Sequence, residues 1–225
     1  MKKLLALISK DFRLEFRTRE VLVPFLSLFT ILAVSTALGL QTVFIDQQTV
    51  NRLFPVLFFL IFIFSSTVAS GRNFENEISL RALDGLLVTG TDPALIFISK
   101  FFSLATVNFF GGLVFFFLLS LLIGTSVSGI LGLATLIILV TSIGLSALAT
   151  LLCGVSAESR IGPSLLPLLL IPLALPLIAG GIELMSDLMA KHSLALDSSW
   201  LLLLYLIDLV YLLLGINLYQ FVVKE

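Results

Sequence analysis

An all-α membrane protein with six transmembrane helices in a single domain is the fold class this sequence predicts, and three observations carry that expectation. Hydrophobic residues make up 59% of the 225 positions and charged residues only 12%, whereas a soluble domain has roughly a quarter of its residues charged. Charge-free stretches recur at the length of about 20 residues that a helix needs to cross the hydrocarbon core. When those stretches are threaded alternately through a bilayer, eleven of the thirteen Lys and Arg residues fall on one side. The mean hydropathy of +1.17 agrees with all three.

The elements follow in order. Residues 1–20, MKKLLALISKDFRLEFRTRE, place Leu4, Leu5, Ile8, Phe12 and Phe16 at helical spacing among basic residues, which predicts an amphipathic helix lying in the interface. The first span is expected at about 21–45, too long and too late to be the apolar core of a signal peptide. A second span is expected at 53–71. The uncharged run from 101 to 157 is too long for one helix, and GTSVSG at 124–129 supplies the small, flexible residues of a tight hairpin. That divides it into spans at 101–123 and 130–155. A fifth span is expected at 161–182 and a sixth at 200–223.

An even number of spans puts both ends on one side. Lys2, Lys3, Lys10, Arg13, Arg17, Arg19, Arg72, Arg81, Lys100, Arg160 and Lys224 share that side, and only Arg52 and Lys191 lie opposite. The excess of Lys and Arg in cytoplasmic segments therefore predicts cytoplasmic termini.

Residues 72–100, between the second and third spans, hold seven of the 27 charged residues. Leu80, Leu83 and Leu87 stand three and four positions apart with Glu75, Glu77, Arg81 and Asp84 around them, the pattern of a short amphipathic helix. Gly90 and the run Thr91-Asp92-Pro93 predict a stop and a restart, with Asp92 as the cap and Pro93 in the first turn of the next helix. So short a helix has no core of its own, and its apolar face must rest on the membrane domain or on another protein.

The same sequence excludes several functions. It has no G-x-x-x-x-G-K-[ST] loop, and no Gly precedes a Lys, so ATP has no phosphate loop here. It also lacks a G-x-S-x-G elbow and a His/Glu pair at metal-ligand spacing. A single cysteine, Cys153, builds neither a disulfide framework nor a zinc site within the chain and reads as an apolar packing residue. His192, the one histidine, reads as a solvated loop residue between Glu183 and Ser199, and no metal site is expected. Nothing suggests nucleic-acid binding.

Two features inside the membrane are candidates for a pathway or a gate. Pro163, Pro167, Pro172 and Pro176 punctuate the fifth span. Each internal proline removes a backbone hydrogen bond, and freed carbonyls in lipid need partners from a neighbouring helix or a cavity. Asp208 interrupts the sixth span, where a central charge costs about 2.5–3.5 kcal/mol on insertion scales. A dimer interface, a transport pathway and the headgroup region all remain open for it. Six spans enclose little alone, so a twofold dimer is the natural closed assembly.

KDFRLEFRTRE at 10–20, FENEISLRALDGLLVTGTDPALIFISK at 74–100 and SRIGPSLLPLLLIPLALPLIAGGIE at 159–183 resemble characteristic stretches of the cytochrome c maturation permease, the heme exporter protein B family (CcmB). The order of interfacial helix, two spans, charged helix and four spans is similar to the membrane subunits of ABC-2 type exporters. The likeness covers nearly the whole chain. The middle stretch matches best, with Arg81, Leu83, Asp84, Gly85, Leu86 and Leu87 in kind. It departs in Asp84 for the family's Glu, in Leu80 near a frequent Gly, and in Gly90 for the usual Pro, which leaves the local turn geometry open.

The resemblance implies a permease of the inner membrane that is not itself an enzyme and pairs with two copies of a cytoplasmic ABC ATPase. Glu75, Glu77, Leu80, Arg81, Leu83, Asp84 and Leu87 would form the coupling helix docked on that ATPase. Neighbouring cytochrome c maturation subunits and a heme carrier are implied partners. Heme is the implied handled ligand, with no covalently bound cofactor, and ATP acts through the partner. An exporter for a drug, lipid or polysaccharide, and an assembly subunit that moves no solute, are the competing expectations. A channel with no motor fits the charged cytoplasmic segment less well.

Overall fold

The computed structural model describes residues 2–19, 21–42, 46–79, 92–158, 165–193 and 198–222. Among these, seven helices and no strands are found: α1 (Lys2–Thr18), α2 (Leu22–Thr42), α3 (Gln47–Ser79), α4 (Pro93–Ile123), α5 (Leu131–Glu158), α6 (Leu165–Lys191) and α7 (Ser199–Val222). The last six are each long and apolar enough to cross a membrane.

The helix boundaries follow from local chemistry. Asp46 precedes α3, accepting from the Thr49 hydroxyl at 2.6 Å and the Thr49 N–H at 3.1 Å. These bonds, the hydroxyl's first, hold its carboxyl below the usual carboxylate range. Asp92 caps α4, its side chain accepting from the Ala94 N–H at 3.0 Å with Pro93 in the first turn. That is the restart the sequence predicts. Pro24 sits third in α2 and Pro167 third in α6, within the first turn, where a backbone N–H has no helical partner to lose. The hairpin between α4 and α5 turns on Gly124, which adopts φ 79° and donates to Ser120 O at 2.9 Å. A left-handed cap of this kind is a glycine position.

Two boundaries differ from those read in the sequence. The helix of the second span does not stop at Gly71 but continues through Glu75 and Glu77 to Ser79. At 33 residues it is about 50 Å long, well beyond the ~30 Å hydrocarbon core. The fifth-span helix likewise runs to Lys191, so the expected loop from Glu183 is helical for its first half. Its final turn is supported by an Asp187–Lys191 ion pair at 3.0 Å. Reading the loop after Ile182 from charge alone stopped that helix too early, because it continues past its apolar region with the Asp187–Lys191 pair in its last turn.

α5 is the central helix. It packs on α3, α4, α6 and α7, and 83% of its span is buried against 22% for α2 and α7. Its hydroxyls enter the core because each returns to its own helix: Ser142 to Ile138 O at 2.6 Å and Thr150 to Ser146 O at 2.7 Å. Cys153 is buried on the same helix, as its apolar reading requires.

Phenylalanine fills the space around this centre. Phe29 stacks on Phe115 at 3.7 Å between ring centres, and Phe58 meets Phe116 edge-on at 5.5 Å, linking α2 and α3 to α4. Several rings lie against glycines. A Cβ on Gly111 would stand 2.2 Å from Phe25, on Gly181 2.7 Å from Phe59, and on Gly215 2.1 Å from Phe97. Gly215→Ala should therefore destabilise the fold by about 1–3 kcal/mol through overpacking, while Gly39→Ala, with nothing within 4 Å, should change it by less than about 0.5 kcal/mol. Thermal unfolding of both variants in the same detergent measures the difference, and equal midpoints would contradict the packing account.

Candidate functional site

The two faces of the bundle are distinguished by contacts between distant segments. On one face α1 packs against the start of α4, where the Ser99 hydroxyl donates to Asp11, which also pairs with Lys10 at 3.3 Å. Glu15, buried near the end of α1, accepts from the backbone N–H groups of Val21 at 3.1 Å and Leu22 at 2.8 Å. A carboxylate there satisfies orphan donors at the start of α2 and faces the positive end of its dipole. Arg19 makes the turn between the two helices at φ 57°. The interfacial helix expected from the Leu and Phe stripe is thus fixed to the spans by two acidic residues that the stripe did not single out.

On the opposite face, Gln47 at the start of α3 reaches Gly124 O at 3.3 Å. Beside them is a cavity of about 440 Å³ lined by Gln47, Asn51, Gly124, Ser126, Ile130, Met189 and His192. His192 ends α6, with φ 52° and its N–H on Leu188 O at 2.9 Å. Its imidazole is exposed at the cavity rim. The start of α3, the α4–α5 turn and the end of α6 thus meet at the end of α3 opposite its 72–79 extension.

Within the span region a polar seam crosses three helices. Ser66 on α3 donates to Asn108 Oδ1 on α4 at 3.0 Å, and Asn108 Nδ2 donates to Ser146 on α5 at 2.8 Å. All three side chains are buried. Ser65, Thr67 and Ser70 are buried beside it on α3, with hydroxyls that find no partner among the described residues. The sequence reading passed over this seam, although Asn108 is the single amide in the third span and SSTVAS at 65–70 is the least apolar run of the second.

The second junction contains three of the residues singled out as gate or pathway candidates. Asp208 on α7 is 5% exposed, so it points into the bundle and not toward headgroups. A Cβ on Gly144 of α5 would stand 2.0 Å from Asp208 Oδ1 and 2.7 Å from Leu177 of α6. The absent side chain is what lets α5, α6 and α7 converge. Asp208 Oδ1 has no hydrogen-bond partner among the described residues. One turn on, the Tyr211 hydroxyl donates across to Leu173 O at 2.7 Å. Leu173 follows Pro172 and lies three residues before Pro176, in the stretch of α6 where prolines withdraw backbone donors. That bond ties α7 to α6 one residue past Pro172; the carbonyls that lose a helical donor to the prolines are those of Leu168 and Pro172.

Other candidate residues lie elsewhere. Glu75 and Glu77 are on the far end of α3, remote in sequence and helix position from Asp208. Leu80, Arg81, Leu83, Asp84 and Leu87 lie outside the described residues, as does Pro163. Among the described residues, no group of three His, Cys, Asp or Glu side chains is arranged to hold a metal ion.

Six apolar helices around a buried polar seam and a carboxyl-bearing junction define a multi-pass membrane protein. A family model described as CcmB protein matches residues 2–219, nearly the whole chain. The chain belongs to that family, whose role is that of a heme exporter permease subunit in c-type cytochrome biogenesis. No match was found among curated proteins.

Asp208→Leu replaces a buried carboxyl, whose Oδ1 has no hydrogen-bond partner among the described residues, by an apolar side chain of similar size, and should leave stability unchanged or raise it. Asp208→Asn should retain the fold. If the carboxyl serves transport, both variants lose cytochrome c maturation while thermal unfolding shows an intact bundle. Maturation at the wild-type level in both would leave Asp208 without a functional part. Glu15→Ala should cost about 0.5–2 kcal/mol as a lost helix cap, measured as a lower unfolding midpoint, and Glu15→Gln, which still accepts, should lose less.

Proposed function

We propose that this chain is the inner-membrane, non-ATPase half of an ATP-driven complex in c-type cytochrome biogenesis. It acts as a homodimer on two copies of a cytoplasmic ABC ATPase, with its termini in the cytoplasm. The observation that carries this reading is the 33-residue α3, which extends the second span into the charged segment on the face that also holds α1. Eleven of thirteen basic residues belong to that face, the cytoplasmic one by the positive-inside rule.

In this reading residues 72–100 are the coupling segment, with Glu75, Glu77, Leu80, Arg81, Leu83, Asp84 and Leu87 meeting the ATPase. ATP binding favours one of two arrangements of the spans by its difference in affinity for them. The junction of Asp208, Gly144 and the Pro172/Pro176 stretch is where such a rearrangement is accommodated, since each proline leaves α6 one backbone hydrogen bond short and the three helices meet closely at Gly144. Heme is handled as cargo, delivered to or released with a carrier on the opposite face, in company with the neighbouring maturation subunits.

Purification of the tagged chain in mild detergent from its host should recover an ABC ATPase together with cytochrome c maturation proteins. Leu83→Glu should remove the ATPase from that preparation at least tenfold while leaving the helical content unchanged. Normal recovery of the ATPase with this variant would remove the docking surface from residues 80–87, and absence of any ATPase from the wild-type preparation would end the motor reading altogether.

A further inference from the structure

A groove of about 530 Å³ opens between α1, α2 and α4. Its walls are Phe12 of α1, Phe25 of α2, and Phe110, Gly111 and Val114 of α4. The two large α4 side chains keep 60% and 59% of their surface free. Two charged residues stand at its α1 end, Glu15 and Arg19. They are not equivalent. The Glu15 carboxylate is already occupied by the N–H groups of Val21 and Leu22, whereas the Arg19 guanidinium makes no ion pair among the described residues. The mouth of an apolar slot therefore presents a cation in search of an anion.

We propose that this groove binds one phospholipid from the leaflet on the α1 side, its phosphate on Arg19 and one acyl chain laid along Leu26, Phe110 and Val114. Depth favours a lipid over a protein helix. The α4 residues that line the groove run from Thr106 to Val114, eight steps or about 12 Å. That is close to one leaflet, about half of the ~30 Å core. A partner's transmembrane helix would need a groove along the whole of α4, which continues to Ile123. Level also fits: α1 is an interfacial helix, so Arg19 sits where phosphates are. The one polar wall residue, Thr106, returns its hydroxyl to Phe102 O at 2.8 Å and asks nothing of the ligand.

The lipid would seal the seam between α1 and the spans. The acyl contact and the phosphate contact both contribute and are separable by mutation. The test is native mass spectrometry of the full-length chain, titrated with dioleoyl phosphatidylglycerol and with dioleoylglycerol, which lacks the phosphate. The wild type should retain one phospholipid at least tenfold better than the diacylglycerol. Arg19→Gln should bring the two to parity. Val114→Trp adds bulk on an exposed wall, and should reduce phospholipid retention at least tenfold with helical content unchanged.

Equal retention by the wild type and both variants overturns the proposal. Displacement of the lipid by inorganic phosphate alone overturns it in favour of a simple anion site. Loss of self-association in Val114→Trp with lipid binding intact overturns it in favour of a protein interface.

Discussion

Close approach of helices without a hydrophobic driving force is the constraint on which this structure depends. Lipid tails are as apolar as the side chains they would be exchanged for, so helices associate through packing and through polar contacts that lipid cannot offer. The chain meets this by setting phenylalanine rings against glycines: Phe25 on Gly111, Phe59 on Gly181, Phe97 on Gly215. Each pair joins two helices, and a ring on a bare backbone maximises dispersion contact over a small area. The abundance of phenylalanine, twenty residues against one tryptophan and three tyrosines, has its explanation here. An aromatic without a polar group can be buried anywhere in the bundle, whereas an indole or phenol needs a partner.

Polar groups are then rationed to places where they perform a second task. Hydroxyls on α5 return to their own helix and cost the core little. Ser66, Asn108 and Ser146 join α3, α4 and α5 by side-chain hydrogen bonds, which fix the register of three helices that ring-on-glycine contacts alone would let slide. Asp208 is different, because Oδ1 has no such partner among the described residues. Buried groups of that kind are costly; Ser65, Thr67 and Ser70 on α3 share the lack of a partner among the described residues, but Asp208 is the one carboxyl among them, which sets the α5–α6–α7 junction apart.

Much of this architecture was legible in the sequence. The spans follow from charge-free length, the α4–α5 hairpin from GTSVSG, and the α4 cap from Asp92-Pro93, because each depends on local chemistry alone. What was missed is also physical. The apolar stretch of the second span ends at Gly71 as read, and Ile182-Glu183 looks like another such end, but hydropathy records where the hydrocarbon stops and not where the helix does: these helices run on to Ser79 and Lys191. The candidate junction was half legible: Asp208 and the prolines stand out by residue type, whereas Gly144 and Tyr211 acquire meaning only from being packed together. Glu15 and Asp11 were hidden because they look like ordinary charges on an amphipathic helix, and their partners lie on other helices.

The length of α3 has a mechanical consequence. Pro55 removes one internal hydrogen bond near the end opposite α1, and from Val56 to Ser79 the helix continues for 24 residues without another proline, about 36 Å. A rod of that length pivoting at Pro55 by five degrees would sweep its far tip through roughly 3 Å. The backbone beneath the buried rings of Phe58, Phe59 and Phe62 near the pivot would move by roughly 0.4–0.9 Å, a small fraction of the displacement at the tip. Leverage of this kind allows a modest displacement at one surface to be reported deep in the bundle as a small rotation, with the intervening contacts sliding a little and none of them breaking.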